Sequence, residues 1–223
     1  MQHLLVTSYE AKAFAVRKVT SNKGKRTVGV DHVLWDTDVG KVNAVCSLKR
    51  RGYRALPLKR VNIPKKNGKM RPLGGPTMRD RAMQTLYLMA LEPVTETTAD
   101  ANSYGFRKFR STADAIDALH RWLSRNCSPQ WILEGDIKGC FDHISHEWLL
   151  DNVRIDKHIL GKWLKSGVVF NKLLQPVVEG IPQGGIISLT LANAALDGME
   201  RILKEKNKVS YICLLYTSDA ADE

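Results

Sequence analysis

The sequence predicts an α+β protein, and three features carry that prediction. Apolar residues recur at helical spacing in several segments, for example over residues 78–91. An Asn-Gly pair at residues 67–68 separates two short segments, 61–64 and 70–73, in the pattern of a β-hairpin. Helical and extended segments do not alternate strictly, which favours a mixed fold over a parallel α/β sheet.

The chain before the hairpin is expected to be mainly helical. Residues 9–19 have the spacing of an amphipathic helix, and the polar, glycine-containing stretch 21–29 is typical of a loop. A second, basic helix is expected over residues 38–51. The first element of the protein is therefore predicted to be a helical, basic extension.

A longer helix is expected after the hairpin, over residues 78–91. Pro93 is predicted to end it, because proline removes a helical hydrogen bond and clashes with the preceding turn. One face of this helix is apolar and is predicted to be buried: Met83, Leu86, Tyr87, Ala90 and Leu91.

The next helix is predicted from a capping pattern. Ser111 is followed three positions later by Asp114, which resembles a capping box with Asp in place of Glu. Ile116, Leu119 and Leu123 recur at helical spacing behind it. These three residues are expected to form the buried stripe of the helix.

The second half of the chain mixes strands and helices. An apolar strand is expected over residues 131–137, and Ser145 is expected to cap a short helix that runs through residue 150. A strand and turn are expected near residues 177–178, a helix over 191–202, and another strand over 209–212.

The charge of the chain is distributed unevenly. The formal net charge is +11, and residues 1–71 alone carry +13 while the remainder carries −2. Such a surface is either a solvated basic face or a phosphate-binding one, and the asymmetry favours phosphate, as in a nucleic-acid partner.

Composition excludes several classes of protein. No run of about 18 apolar residues occurs, so a transmembrane helix is not expected, and residues 1–6 lack the pattern of a signal peptide. The four cysteines form no Cys-x-x-Cys pair, which argues against a zinc ribbon and is consistent with reduced thiols. The expected location is the cytoplasm.

Asp136 is the first candidate for chemistry, because it ends an apolar strand where an unpartnered carboxylate is costly. Together with Asp142 it could bind Mg²⁺, which prefers hard oxygen ligands. A structural or capping role for Asp136 is the alternative from these residues alone.

Two further segments are candidates for binding a nucleotide. The predicted hairpin is basic and could fold over a triphosphate, although lysines also keep exposed hairpins soluble. The glycine-rich turn at residues 180–185 would let backbone approach a ligand closely, or it is simply a turn.

The order and spacing of these segments resemble those of bacterial group II intron reverse transcriptases. The segments are IPKKNGKMRPLG, SYGFRKFRSTADA, EGDIKGCFDHISHEWLL and GIPQGGIISLTLAN. The start of the chain is similar to the N-terminal extension of that family, so the resemblance covers residues 1 to about 212. It implies a right-hand polymerase fold, of which the chain holds the fingers and part of the palm, with the thumb missing.

The resemblance also implies two-metal nucleotidyl transfer with Mg²⁺ as the cofactor. Asp136 matches the first catalytic aspartate and metal ligand of the family. Ile137 matches the neighbouring position, whose carbonyl reaches a metal. The implied activity is RNA-directed DNA synthesis in intron mobility and splicing.

Four more residues match the family's deoxynucleotide site. Lys65 and Arg71 match the fingers residues that hold the incoming triphosphate. Phe141 matches the aromatic residue that rejects ribonucleotides, and Gln183 matches a residue lining the nucleotide pocket.

The implied partners are group II intron RNA, an RNA template with a DNA primer, and deoxynucleoside triphosphates. Contacts with RNA are expected from basic residues of the N-terminal extension. The positions expected to bind RNA are Lys23, Lys25, Arg26, Lys49, Arg50 and Arg51. His143 and His146 have no role in this reaction and are expected to serve surface or capping functions.

The resemblance divides the chain into three parts. Residues 1–60 correspond to the N-terminal extension, and residues 61–212 to the fingers and part of the palm. After residue 212 the family continues into a Tyr-Ala-Asp-Asp hairpin, whereas residues 213–223 resemble a translated sequencing adapter. The polypeptide as written is therefore expected to be inactive, and the alternative function is that of an RNA-binding remnant.

Overall fold

The computed structural model describes residues 2–64, 68, 70–206 and 209–214, and its fold is mixed α+β. The described helices are α1 (Gln2–Thr7), α2 (Tyr9–Ser21), α3 (Asp38–Ser47), α4 (Met78–Thr98), α5 (Thr112–Leu123), α6 (His146–Asn152), α7 (Lys157–Leu164), α8 (Ser188–Leu196) and α9 (Met199–Lys206). The described strands are β1 (Leu58–Pro64), β2 (Met70–Gly75), β3 (Val168–Phe170) and β4 (Leu173–Gln175). None of the described helices has the length and apolar character needed to cross a membrane.

The amino-terminal helices pack on α4 through small and branched apolar residues of α2. The Ser8 hydroxyl caps α2 by accepting a hydrogen bond from the backbone N–H of Ala11. The basic helix expected over residues 38–51 is shorter than predicted, because α3 ends at Ser47. Leu48 leaves the helical conformation and is buried in the core, so Lys49 and the two arginines after it lie beyond the helix.

The four strands form one sheet in the order β2-β1-β3-β4. The predicted hairpin is confirmed, with β1 antiparallel to β2 from the pair Lys59 and Gly75 onward. Strand β3 is parallel to β1 and antiparallel to β4. The strand expected at residues 177–178 is wrong, since β3 and β4 lie earlier. Their turn consists of Asn171 and Lys172, both with positive φ, and lacks the glycine that would have marked it in the sequence.

Helix α4 is the centre of the core. The apolar face predicted for it is buried, and so are the residues on its other faces from Asp80 to Leu88. The predicted end at Pro93 is wrong, because the helix continues to Thr98. Pro93 is exposed, and the Thr95 hydroxyl donates to the carbonyl of Glu92, which supports the turn that follows the proline.

Helix α5 begins as predicted and buries a different face. The capping box between Ser111 and Asp114 is present. The predicted buried stripe is wrong: Ile116 is 62% exposed, whereas Ala115 and Ala118 are buried. Periodicity identifies an apolar face, and whether another element covers that face depends on the tertiary fold.

The strand predicted over residues 131–137 is also wrong. This segment has no ladder with any described strand, and Trp131 and Leu133 are 91% and 97% exposed. An extended segment needs a neighbour to satisfy its backbone groups, and none of the four strands of the sheet lies beside it. The strand expected over residues 209–212 is likewise absent from the described chain, where an isolated bridge joins Cys213 to Ser103.

The helix expected over residues 191–202 is interrupted. Gly198 has a φ of 89° and separates α8 from α9. The carboxylate of Asp100 accepts hydrogen bonds from the backbone N–H groups of Gly198 and Glu200, at 3.1 and 3.0 Å. The start of α9 is thus held by a distant residue that the local pattern did not reveal. The helix expected from Ser145 is confirmed, with the serine hydroxyl accepting from the N–H of Trp148.

Candidate functional site

Two loops meet where the resemblance places a nucleotide pocket. The first is a 3₁₀ turn, Cys140–Asp142, which contains Phe141. The second is the glycine-rich turn at residues 180–185. The N–H of Ile181 donates to the carbonyl of Phe141 at 2.6 Å, and the N–H of Gly180 donates to the carbonyl of Ile144 at 2.8 Å. These backbone bonds fix the position of Phe141 relative to the glycine-rich turn.

Gly180 is required by this contact. Its φ is 83°, and a Cβ atom at this position would lie 2.6 Å from the carbonyl oxygen of Asp142 and 2.8 Å from that of Phe141. Both the left-handed conformation and the close approach of the two backbones exclude a side chain. The glycine therefore sets how closely the two loops pack.

The same turn is attached to the hairpin on its other side. The N–H of Gly74 donates to the carbonyl of Gln183 at 2.7 Å, and the Nε of Arg71 donates to Oε1 of Gln183 at 2.9 Å. Gly184 has a φ of 107°, and a Cβ there would lie 2.9 Å from the Gly74 carbonyl oxygen. Two residues expected to bind a nucleotide, Arg71 and Gln183, are thus brought into direct contact.

Three buried or half-buried polar side chains support the glycine-rich turn. Oε1 of Gln84, on α4, accepts from the N–H of Ile186 at 2.8 Å, and the Ser188 hydroxyl donates to the carbonyl of Pro182 at 2.9 Å. Nε2 of the half-buried His146 lies 2.7 Å from the Gly180 carbonyl oxygen and helps to hold this turn. Sequence reasoning missed Gln84 and Ser188, although the position of Gln84 directly after Met83, on the predicted apolar face, was a visible signal.

Asp136 and Ile137 lie on the exposed segment that precedes Phe141. Burial raises the pKa of the Cys140 thiol, and the charges of Cys213, Asp136 and Asp142 raise it further, which places Asp136 beside this turn. Within the described chain no group of three or more His, Cys, Asp or Glu side chains is arranged to hold a metal ion. The described residues alone do not form a complete metal centre.

The basic residues expected to bind RNA occupy two exposed stretches. Lys23, Lys25 and Arg26 lie on a 3₁₀ turn after α2, and Lys49–Arg51 follow α3. Arg50 forms an ion pair with Asp156, and its pKa is raised by the hydrogen bond to that carboxylate. Part of the charge of the second stretch is therefore balanced within the protein. Lys65, the remaining residue of the predicted nucleotide site, lies outside the described residues.

Comparison with known proteins identifies relatives over most of the chain. A family model described as "Reverse transcriptase (RNA-dependent DNA polymerase)" matches residues 63–220, and one described as "N-terminal domain of reverse transcriptase" matches residues 1–48. Group II intron-encoded protein LtrA of Lactococcus lactis subsp. cremoris is 37% identical over 201 residues, which cover 85% of this chain and 33% of that protein.

Other relatives have comparable similarity. Protein YkfC of Escherichia coli K12 is 38% identical over 216 residues, covering 91% of this chain and 56% of that protein. The putative COX1/OXI3 intron 2 protein of Saccharomyces cerevisiae is 30% identical over 211 residues, covering 91% of this chain and 24% of that protein. The chain thus spans about half or less of the length of these curated relatives.

Proposed function

The chain belongs to the reverse transcriptase family, and from that premise we propose that it is the fingers and partial palm of a group II intron-encoded RNA-directed DNA polymerase. In this proposal the complete protein copies intron RNA into DNA during intron mobility and assists splicing. Residues 1–60 are its N-terminal extension, and residues 61–212 form the fingers and part of the palm.

The observation that supports this proposal most strongly is the junction of the hairpin, the Phe141 turn and the glycine-rich turn. Arg71 would bind phosphate oxygens of an incoming deoxynucleoside triphosphate, for which its planar, bidentate guanidinium is suited. Gln183 holds that guanidinium and would line the pocket. Phe141, fixed by its backbone bond to Ile181, would crowd a 2′-hydroxyl and so favour deoxynucleotides. Lys65 would add a second charge to the triphosphate.

Asp136 and the carbonyl of Ile137 would contribute ligands to Mg²⁺, which would supply Lewis-acid stabilisation of the oxygens in phosphoryl transfer. Further carboxylates are needed to complete such a centre. We propose that they lie in a Tyr-Ala-Asp-Asp hairpin of the parent protein, and that residues 213–223 are a translated sequencing adapter. The 223-residue polypeptide would then bind its ligands without synthesising DNA. Sequencing the source gene beyond the codon for Ile212 tests this directly.

The RNA partner would bind the basic amino-terminal part of the chain. The +13 charge of residues 1–71, set against −2 for the rest, supports a phosphate-binding surface. Lys23, Lys25 and Arg26 on one side, and Lys49–Arg51 on the other, would contact intron or template RNA. The same charge supports the second candidate function, that of an RNA-binding remnant without polymerase activity.

One experiment separates the two functions. The parent protein with Asp136→Ala is compared with the wild type and with Asp151→Ala, which removes an exposed aspartate of α6 that pairs with Lys157. The polymerase function requires that Asp136→Ala abolish RNA-templated DNA synthesis and leave RNA affinity unchanged, while Asp151→Ala affects neither. If the wild-type parent binds RNA and synthesises no DNA, the RNA-binding function is the correct one.

A further inference from the structure

The basic turn of residues 23–26 is attached to the core by a buried arginine. Nη1 of Arg81, on α4, donates to the carbonyl of Gly24 at 3.0 Å and lies 3.6 Å from the sulfur of Met78. Arg81 is only 7% exposed, so its own guanidinium is withdrawn from any ligand at the surface. The Gly24 carbonyl also accepts the N–H of Thr27 at 3.0 Å, which closes the turn.

A second contact holds the loop that continues from this turn. Gly29 packs so closely on the start of α4 that a Cβ there would lie 2.7 Å from Cα of Thr77. The loop is therefore fixed to α4 at two points, Gly24 and Gly29. Lys25 and Arg26 lie between those points and remain exposed.

Burying the guanidinium of Arg81 in the core costs desolvation free energy. Burial lowers the pKa of Arg81, and the charge of Asp31 acts in the opposite direction. A buried cation is tolerated when its donors are used, and an apolar side chain of similar size would pack without that cost. Nη1 of Arg81 donates to the carbonyl of Gly24, which lies inside the basic turn.

We infer that Arg81 is a positioning residue, which fixes the backbone of the basic turn so that Lys25 and Arg26 present their charges to RNA phosphates in one arrangement. The inference rests on the proposed RNA-binding function of this turn. Ordering a loop before binding removes an entropic cost from the binding step. Releasing it should therefore weaken RNA binding even though Arg81 itself touches no RNA.

The experiment measures binding of a fluorescein-labelled RNA hairpin to the 223-residue chain across a range of salt concentrations. Arg81→Met keeps the volume and removes the donor, Arg81→Lys keeps a cation that can donate, and Arg121→Met makes the same change at an exposed arginine of α5. Limited trypsin digestion follows cleavage after Lys25 and Arg26, and urea denaturation reports overall stability.

We expect Arg81→Met to weaken RNA binding by about tenfold and to reduce the salt slope by roughly one phosphate contact. Cleavage within the turn should become faster than cleavage elsewhere in the chain. Arg81→Lys should restore much of the affinity, and Arg121→Met should change it by no more than about twofold. If Arg81→Met does not fold, Gly29→Ala displaces the same loop without altering any charge and should give the same pattern.

Two results would overturn the inference. One is unchanged RNA affinity in folded Arg81→Met or Gly29→Ala, and the other is an equal loss in Arg121→Met, which would indicate a general effect of charge. A double variant, Lys25→Ala with Arg26→Ala, shows whether the positioning role of Arg81 or the proposed RNA-binding role of the turn is wrong. If that variant binds RNA normally, the turn is not an RNA site; if it binds weakly while the Arg81 variants bind normally, only the positioning role is wrong.

Discussion

Replacing Gly180 by alanine should destabilise the protein more than the backbone conformation alone explains. A left-handed φ costs a residue with a Cβ about 1–2 kcal/mol. The Cβ of Gly180→Ala would also lie 2.6 Å from the carbonyl oxygen of Asp142, a contact that backbone must move to relieve. Overpacking of this kind costs about 1–3 kcal/mol, so the free energy of unfolding should fall by roughly 2–5 kcal/mol in total.

Gly198→Ala is the matched control for this prediction. Its φ of 89° is close to the 83° of Gly180, and apart from its own chain neighbours no heavy atom of the described residues lies within 4 Å of the Cβ position. Urea denaturation of the three chains gives the free energies. Gly198→Ala should lose only the conformational part, about 1–2 kcal/mol. Equal losses in both variants would refute the argument that the Phe141 turn and the glycine-rich turn are in tight contact.

Three further predictions concern other parts of the structure. Asp80 is buried and accepts a hydrogen bond from the Tyr53 hydroxyl at 2.6 Å. Asp80→Asn should therefore lower the free energy of unfolding, measured by urea denaturation, by about 1–3 kcal/mol. An unchanged free energy would argue against a carboxylate acceptor at this position. Hydrogen bonding from Arg107 lowers the pKa of the Glu96 carboxyl from its ordinary value. The stabilisation from this pair is present above that value and lost as the pH falls through the folded pKa. Urea titrations at a pH above the ordinary pKa of Glu96 and at a pH below its folded pKa measure this effect. On acidification the free energy of unfolding of the wild type should fall by up to about 1 kcal/mol more than that of Glu96→Gln. Equal falls in the two proteins would contradict the pairing. Gly184→Ala should push the glycine-rich turn away from the hairpin. In the parent protein this change should lower kcat/KM for deoxynucleotides by roughly one to two orders of magnitude. An unchanged kcat/KM would mean that this contact does not shape the pocket.

Local patterns predicted the elements whose shape depends on nearby residues. The hairpin, the capping box at Ser111 and the buried apolar face of α4 all follow from short-range chemistry, and the structure contains each of them. The prediction that α4 ends at Pro93 was wrong. Pro93 lies on the exposed face of the helix, and the helix continues past it to Thr98.

Elements that depend on distant partners were predicted poorly. The apolar residues of segment 131–137 predicted a strand, and a strand exists only where another strand pairs with it. The stripe from Ile116 to Leu123 on α5 has the same problem, since a periodic pattern shows which face is apolar and not what covers it. The break at Gly198 is fixed by Asp100, about a hundred residues earlier in the chain.

The sequence predicted residues of the candidate site and did not predict the contacts between them. The resemblance to reverse transcriptases indicated Arg71, Phe141 and Gln183 separately. The bond between Arg71 and Gln183, and the support of the turn by Gln84, follow only from the three-dimensional fold. Arg81 and Gln84 were nevertheless visible as polar residues beside the apolar face of α4, and each of them holds a different loop.

In the proposed function, a deoxynucleotide binds where the hairpin, the Phe141 turn and the glycine-rich turn meet. The most direct test is RNA-templated incorporation by the parent protein, with deoxynucleotides and ribonucleotides in separate reactions. Phe141→Val should admit ribonucleotides and reduce the preference for deoxynucleotides, whereas Phe109→Val, at a fully exposed phenylalanine, should leave that preference unchanged. If Phe141→Val remains active and discriminates as well as the wild type, the nucleotide does not bind at this junction.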